Sequence, residues 1–101
     1  MNSKFFGCSK QRAMHVAQQV MRDMKCRITD LEKPESRIYA ERSWRFLSTP
    51  QKVEVTVFTH NERIEIVTNV HARFPFLDFG SSEWLEEELL DRVADKLAHN
   101  E

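Results

Sequence analysis

Between Lys52 and Ala72 the chain reads KVEVTVFTHNERIEIVTNVHA, and the parity of its apolar positions switches in the middle. Val53, Val55 and Val57 are odd, whereas Ile64, Ile66, Val70 and Ala72 are even. Successive side chains on a strand point to opposite faces, so each run is a strand with one apolar face. If Thr59 pairs with Ile64 across a turn at His60–Arg63, Val57 meets Ile66, Val55 meets Thr68 and Val53 meets Val70. All the apolar members then share one face, as a half-buried sheet requires. Such a sheet needs something to cover that face, which narrows the fold to strands backed by helices or by a second sheet.

Two more strands extend the pattern upstream. In SRIYAERSWRF the even positions Ile38, Ala40, Trp44 and Phe46 are apolar, and Pro50 within LSTPQ breaks the ladder before the next strand. Pairing Phe46 with Val53 puts Trp44 beside Val55 and Arg42 beside Val57. An earlier strand begins at Cys26 and Ile28, with EKPE at 32–35 as its turn, and KFFG at 4–7 has room for one short strand at the start. Ser9 is a good N-cap for a helix over Ser9–Lys25 whose stripe is Ala13, Val16, Ala17, Val20, Met21 and Met24. Ser81 and Ser82 cap a last helix striped by Leu85, Leu89, Leu90, Val93 and Leu97, with Glu83, Glu86, Glu87 and Glu88 toward its positive end. The expected fold is α+β: a four- to five-stranded antiparallel sheet with two helices packed on one face, in the order β-α-β-β-β-β-α.

A chain of 101 residues, 41% hydrophobic and 31% charged, fits one globular domain over 1–101. No apolar run nears the ~18 residues of a membrane span, so no membrane partner is expected. Without an apolar segment ahead of Cys8, a secretory signal is not expected either, and Cys8 and Cys26 read as reduced thiols of a cytoplasmic protein. Cys8 sits just before a helix N-terminus, where the dipole lowers a thiol pKa; the simpler reading is an apolar filler.

The element order KFFG strand, helix, four strands, helix resembles the TATA-binding-protein-like, or helix-grip, topology. The resemblance is one of architecture and carries no motif, so it transfers no functional residue. It implies a choice among the roles that topology hosts: binding DNA, binding apolar ligands, or pairing into larger sheets.

Catalytic chemistry finds little footing. DFG at 78–80 lacks the glycine-rich loop and catalytic-loop motif that give it meaning in kinases. His15, His60, His71 and His99 lack metal-ligand spacing, the acidic run SEWLEEELLD spreads its carboxylates around a helix, and no cofactor is implied. Two features remain as candidate contacts. The polar sheet face carries Arg27, Arg37, Arg45, Lys52, Arg63 and Arg73 against Glu41, Glu54 and Glu65, with Tyr39, Phe58, His60 and His71 among them. Basic and aromatic groups on an open sheet suit a nucleic acid strand, while cross-strand pairs such as Arg45 with Glu54 suit a plain solvated or self-associating face. On the opposite face Arg42 interrupts the apolar positions, either as an anchor for an anionic ligand or as a structurally paired charge.

The loop RFPFLDFG holds Phe74, Phe76, Leu77 and Phe79. Phe74 continues the inward positions, and Phe79 or Leu77 is placed to staple the last helix, which leaves Phe76 as the residue for a partner or ligand. The leading expectation is a non-catalytic binding or assembly domain that forms a homodimer through its sheet face or strand edges. The long strand from Ile64 to Phe74 is the more inviting edge. Nucleic-acid binding, and carriage of a small apolar or anionic ligand between sheet and helices, are the alternatives.

Overall fold

The computed structural model describes residues 1–33, 35–42, 51–72 and 80–99. Five strands, β1 (Asn2–Phe6), β2 (Arg27–Glu32), β3 (Arg37–Arg42), β4 (Gln51–His60) and β5 (Arg63–Ala72), form one antiparallel sheet. Its order is β1-β5-β4-β3-β2. Two helices, α1 (Lys10–Asp23) and α2 (Ser81–His99), pack on one face. The order is β-α-β-β-β-β-α, as expected from the sequence, and no described helix is long and apolar enough to cross a membrane.

The β4–β5 hairpin has the register read from its alternation: Thr59 opposes Ile64, Val57 opposes Ile66 and Lys52 opposes His71. Asn61 closes it at φ 55°, a left-handed conformation that asparagine tolerates. The β3–β4 register differs from the expected one. Val53 pairs with Ala40 rather than Phe46, and Arg42 pairs with Gln51 rather than Val57. The slip is six residues, an even number, so each side chain keeps its expected face while its neighbours change. The physical reason is that alternation fixes only parity: Ile38 and Ala40 meet the inward pattern as well as Trp44 and Phe46, and they are the residues that oppose Val55 and Val53. Trp44, Arg45 and Phe46, and likewise Arg73, Phe74, Phe76, Leu77 and Phe79, lie outside the described residues.

A second correction concerns the edges. β5 is an inner strand over most of its length, because β1 pairs with it from Asn2–Thr68 to Phe6–Ile64. Among the described residues the outer strands are β1 and β2. β2 carries a bulge between Ile28 and Asp30, which lets both Ile28 and Leu31 pack against the core.

α1 starts as expected, with Ser9 Oγ accepting from Arg12 N at 3.1 Å. It ends in a Schellman motif: Cys26 N donates to Met21 O, Lys25 N donates to Arg22 O, and Lys25 takes φ 66°. Ser81 and Ser82 prove to be first-turn residues of α2 and not its cap. Gly80, at φ 81°, supplies the carbonyl that accepts from Trp84 N. The core lies between sheet and helices and holds the anticipated stripes, Ala13 to Met24 on α1 and Leu85 to Val93 on α2.

One buried group was not anticipated. Glu86, expected only as one of the carboxylates spread around the last helix, is 3% exposed. Its Oε2 accepts from Val70 N at 2.8 Å, and its Oε1 accepts from Asn2 Nδ2 at 2.9 Å and lies 3.0 Å from the Met1 ammonium. Val70 lies past the last β1 partner of β5, so the carboxylate occupies the position where a further strand residue would bond. Beneath it the Thr68 hydroxyl lies between the carbonyls of Asn2 and Glu86. The carboxylate thereby ties β1, β5 and α2 together.

Candidate binding surface

The face of the sheet turned away from the helices collects the odd positions of β1, β3 and β5 and the even positions of β4. Among the described residues no helix packs on it. The parity rule therefore places Arg37, Tyr39, Lys52, Phe58, His60, Arg63 and His71 on this one face, as read from the sequence. Arg45, Arg73 and Phe76 are candidate contacts outside the described residues.

The face is laced by ion pairs. Arg27 Nη2 lies 3.0 Å from Glu41 Oε2 across β2 and β3. Arg37 is the hub of the middle: Nη1 donates to Tyr39 Oη at 3.3 Å and lies 3.6 Å from Glu35, while Nε lies 3.3 Å from Glu54. The bond to Tyr39, followed by the neighbouring carboxylates, pushes its guanidinium above the usual arginine value. Glu54, expected to pair with Arg45, is thus held by Arg37. The bulge also brings Asp30 opposite Tyr39 and Glu32 opposite Arg37, so the described part of this face is mixed in charge and not predominantly basic. Glu32 has its carboxyl pushed up by a hydrogen bond with the Glu35 side chain.

Tyr39, Lys52 and His71 meet around one shallow depression of about 460 Å³ near the β2 bulge. Arg37 and Phe58 meet around another, of about 330 Å³. The second leads to an aromatic cluster. Phe58 and Phe5, 45% and 54% exposed, both lie opposite Glu65 on the two sides of β5. The Phe5 ring sits 5.5 Å from His60, whose Nε2 is 3.0 Å from Glu65 Oε1. Phe5 is the surface residue that sequence reasoning missed: KFFG was read as a strand, but its pairing partner, and so its facing side, was not assigned.

Arg42 lies apart, on the helix-side face at the end of β3 opposite buried Gln51. Its guanidinium carbon stands 5.8 Å from the centre of the Trp84 ring, and Gln51 Nε2 is 3.5 Å from Ser82 Oγ on the same helix turn. Its charge also opposes the effect of burial on Cys26, which pushes that thiol above the ordinary cysteine value. Cys8 shifts the same way, since burial outweighs Arg12, which acts against the low-pKa reading of that position. Among the described residues no group of His, Cys, Asp and Glu has the makings of a metal site. In comparisons with protein-family models and with curated proteins, no family matches this chain and no curated protein matches its sequence.

Proposed function

We propose that the domain is a non-catalytic binding and assembly module that pairs with a second copy of itself through the Phe5–Phe58 patch and the adjoining β1 edge. The carrying observation is that two half-exposed aromatic rings lie beside the plainer of the two sheet edges. β2 is guarded by its bulge and by Arg27, Asp30 and Glu32, devices that discourage strand addition. β1 pairs with β5 in unbroken register, and its lysine, Lys4, is drawn toward α2 by Asp91 at 2.9 Å.

Magnitudes favour the edge as a participant. Completing the burial of a half-exposed Phe contributes roughly 1 kcal/mol. Four such rings in a symmetric dimer reach about 4 kcal/mol, near millimolar affinity before the cost of association. Main-chain pairing of β1 with its copy supplies the remainder. The likeness to the TATA-binding-protein-like topology fits, since that architecture hosts pairing into larger sheets, and two unpaired thiols fit a reducing, cytoplasmic setting. Nucleic-acid binding has less support, because Arg27 and Arg37 are already engaged by carboxylates.

The test is a sizing measurement on Phe5→Asp and Phe58→Asp. Either substitution is expected to shift the dimer to monomer while the far-ultraviolet circular dichroism spectrum stays unchanged. Variants that associate like the wild type would rule out the patch.

A further inference from the structure

Ser36 is the residue whose chemistry the fold leaves unused. It stands in the turn before β3 at φ 53°, a conformation costly for a residue with a Cβ, and it is 2% exposed. Both its main-chain groups are satisfied: its N–H donates to Lys33 O at 3.1 Å and its carbonyl accepts from Val57 N at 2.9 Å. Its hydroxyl is buried with no hydrogen-bond partner among the described residues. Buried polar atoms without partners are rare and call for an explanation.

Ser36 lines a cleft of about 440 Å³ between the flank of α1 and the β2–β3 turn, on the side of the sheet opposite the proposed dimer patch. Lys10, Lys33 and the amides of Gln11 and Gln18 also line it, while Met14 and Leu31 give it an apolar part. Among the described residues no carboxylate lines it, although acidic residues outnumber lysine and arginine in the whole chain. The acids of the neighbouring turn are directed elsewhere: Glu32 lies opposite Arg37 on the other face, and Glu35 lies 3.6 Å from the same arginine. The first turn of α1, which supplies Lys10 and Gln11, holds no acid, and the positive end of a helix favours an anion there. His15 completes the lining, and its Nε2 is 3.1 Å from the Gln19 amide nitrogen.

From the unpartnered Ser36 hydroxyl, the two lysines and a described lining without a carboxylate, we infer that this cleft binds a small oxyanion-bearing ligand. Lys10 and Lys33 supply charge, Ser36 donates a hydrogen bond once rotation about its Cα–Cβ bond turns Oγ into the cleft, and Met14 and Leu31 receive an apolar portion of the ligand. The site is independent of the dimer reading, since none of these residues lies on the open sheet face.

The test is an amide chemical-shift titration of the full chain with phenyl phosphate, inorganic phosphate and acetate at constant ionic strength. Saturable shifts confined to Lys10, Gln11, Met14, Lys33, Ser36 and their neighbours are expected, with phenyl phosphate several-fold tighter than inorganic phosphate. Acetate binding at the same residues as tightly as phosphate would assign the oxyanion as a carboxylate and support the site equally. Lys10→Gln with Lys33→Gln is expected to weaken binding about tenfold or more, the scale of one lost charge-assisted hydrogen bond. Ser36→Ala is expected to weaken it at least a few-fold with the spectrum otherwise intact. Diffuse, non-saturating shifts, or variants that bind like the wild type, overturn the inference. If a variant loses its folded spectrum, the wild-type titration alone decides between localised and diffuse shifts.

Discussion

Glu86→Ala is the perturbation whose cost follows most directly from the geometry. The wild-type carboxylate accepts from Val70 N at 2.8 Å and from Asn2 Nδ2 at 2.9 Å in a nearly solvent-free position. Alanine leaves Val70 N–H without an acceptor, and no β1 residue pairs with Val70 to replace it. A buried unsatisfied donor costs about 1–3 kcal/mol, and a hydrogen bond to a charged group contributes about 1.5–3 kcal/mol. Together with the volume vacated in a packed helix–sheet junction, the expected loss is about 3–5 kcal/mol. That is a large share of the ~5–15 kcal/mol total of a typical domain. Glu86→Gln retains one oxygen acceptor and a similar shape, so it is expected to lose only about 1–2 kcal/mol. Urea unfolding followed by circular dichroism gives both numbers. Hydrogen exchange at the Val70 amide gives a local readout, with protection lost in Glu86→Ala. A loss below about 1 kcal/mol with the Val70 amide still protected would refute this role for the carboxylate.

Three further outcomes are expected. Trp84 and Arg42, at 5.8 Å, should couple by about 0.5–1 kcal/mol in a double-mutant cycle, the size of a partly exposed cation–π contact; zero coupling contradicts the stacking. Burial raises the Cys26 thiol, so its contribution to stability is complete below the ordinary value of 9.0 and is lost as pH rises through the higher folded value; alkylation of Cys8 should likewise titrate above 9.0, and a midpoint near neutrality would contradict the burial assigned to it. Ser36→Ala is expected to leave the ligand-free fold unchanged or more stable by up to about 1–2 kcal/mol, because it removes an unsatisfied polar atom. A clear destabilisation in urea unfolding would mean that the hydroxyl has a partner in the folded chain.

Legibility in the sequence tracked locality. Thr59 and Ile64 are five residues apart across one turn, so alternation alone set the β4–β5 register. The β3–β4 register slipped because a period of two is blind to even shifts: Trp44 and Phe46 satisfied the inward pattern as well as Ile38 and Ala40 do. Leu31 reached the core through a bulge that no alternation rule contains. Phe58, Tyr39, Arg37, Lys52 and His71 were placed on the open face by parity, which survived the slip. Phe5 and Glu86 were missed for one shared reason: both depend on β1 docking against β5, a contact between residues about sixty positions apart. The Ser36 hydroxyl was invisible because its burial follows from a left-handed turn and from the flank of α1, neither of which its own neighbours announce.

Self-association is the central functional claim, and multi-angle light scattering of the wild-type chain across the micromolar range tests it most directly. A particle of twice the 12.0 kDa chain mass is expected, dissociating as the concentration falls. A constant 12.0 kDa mass across that range would contradict it.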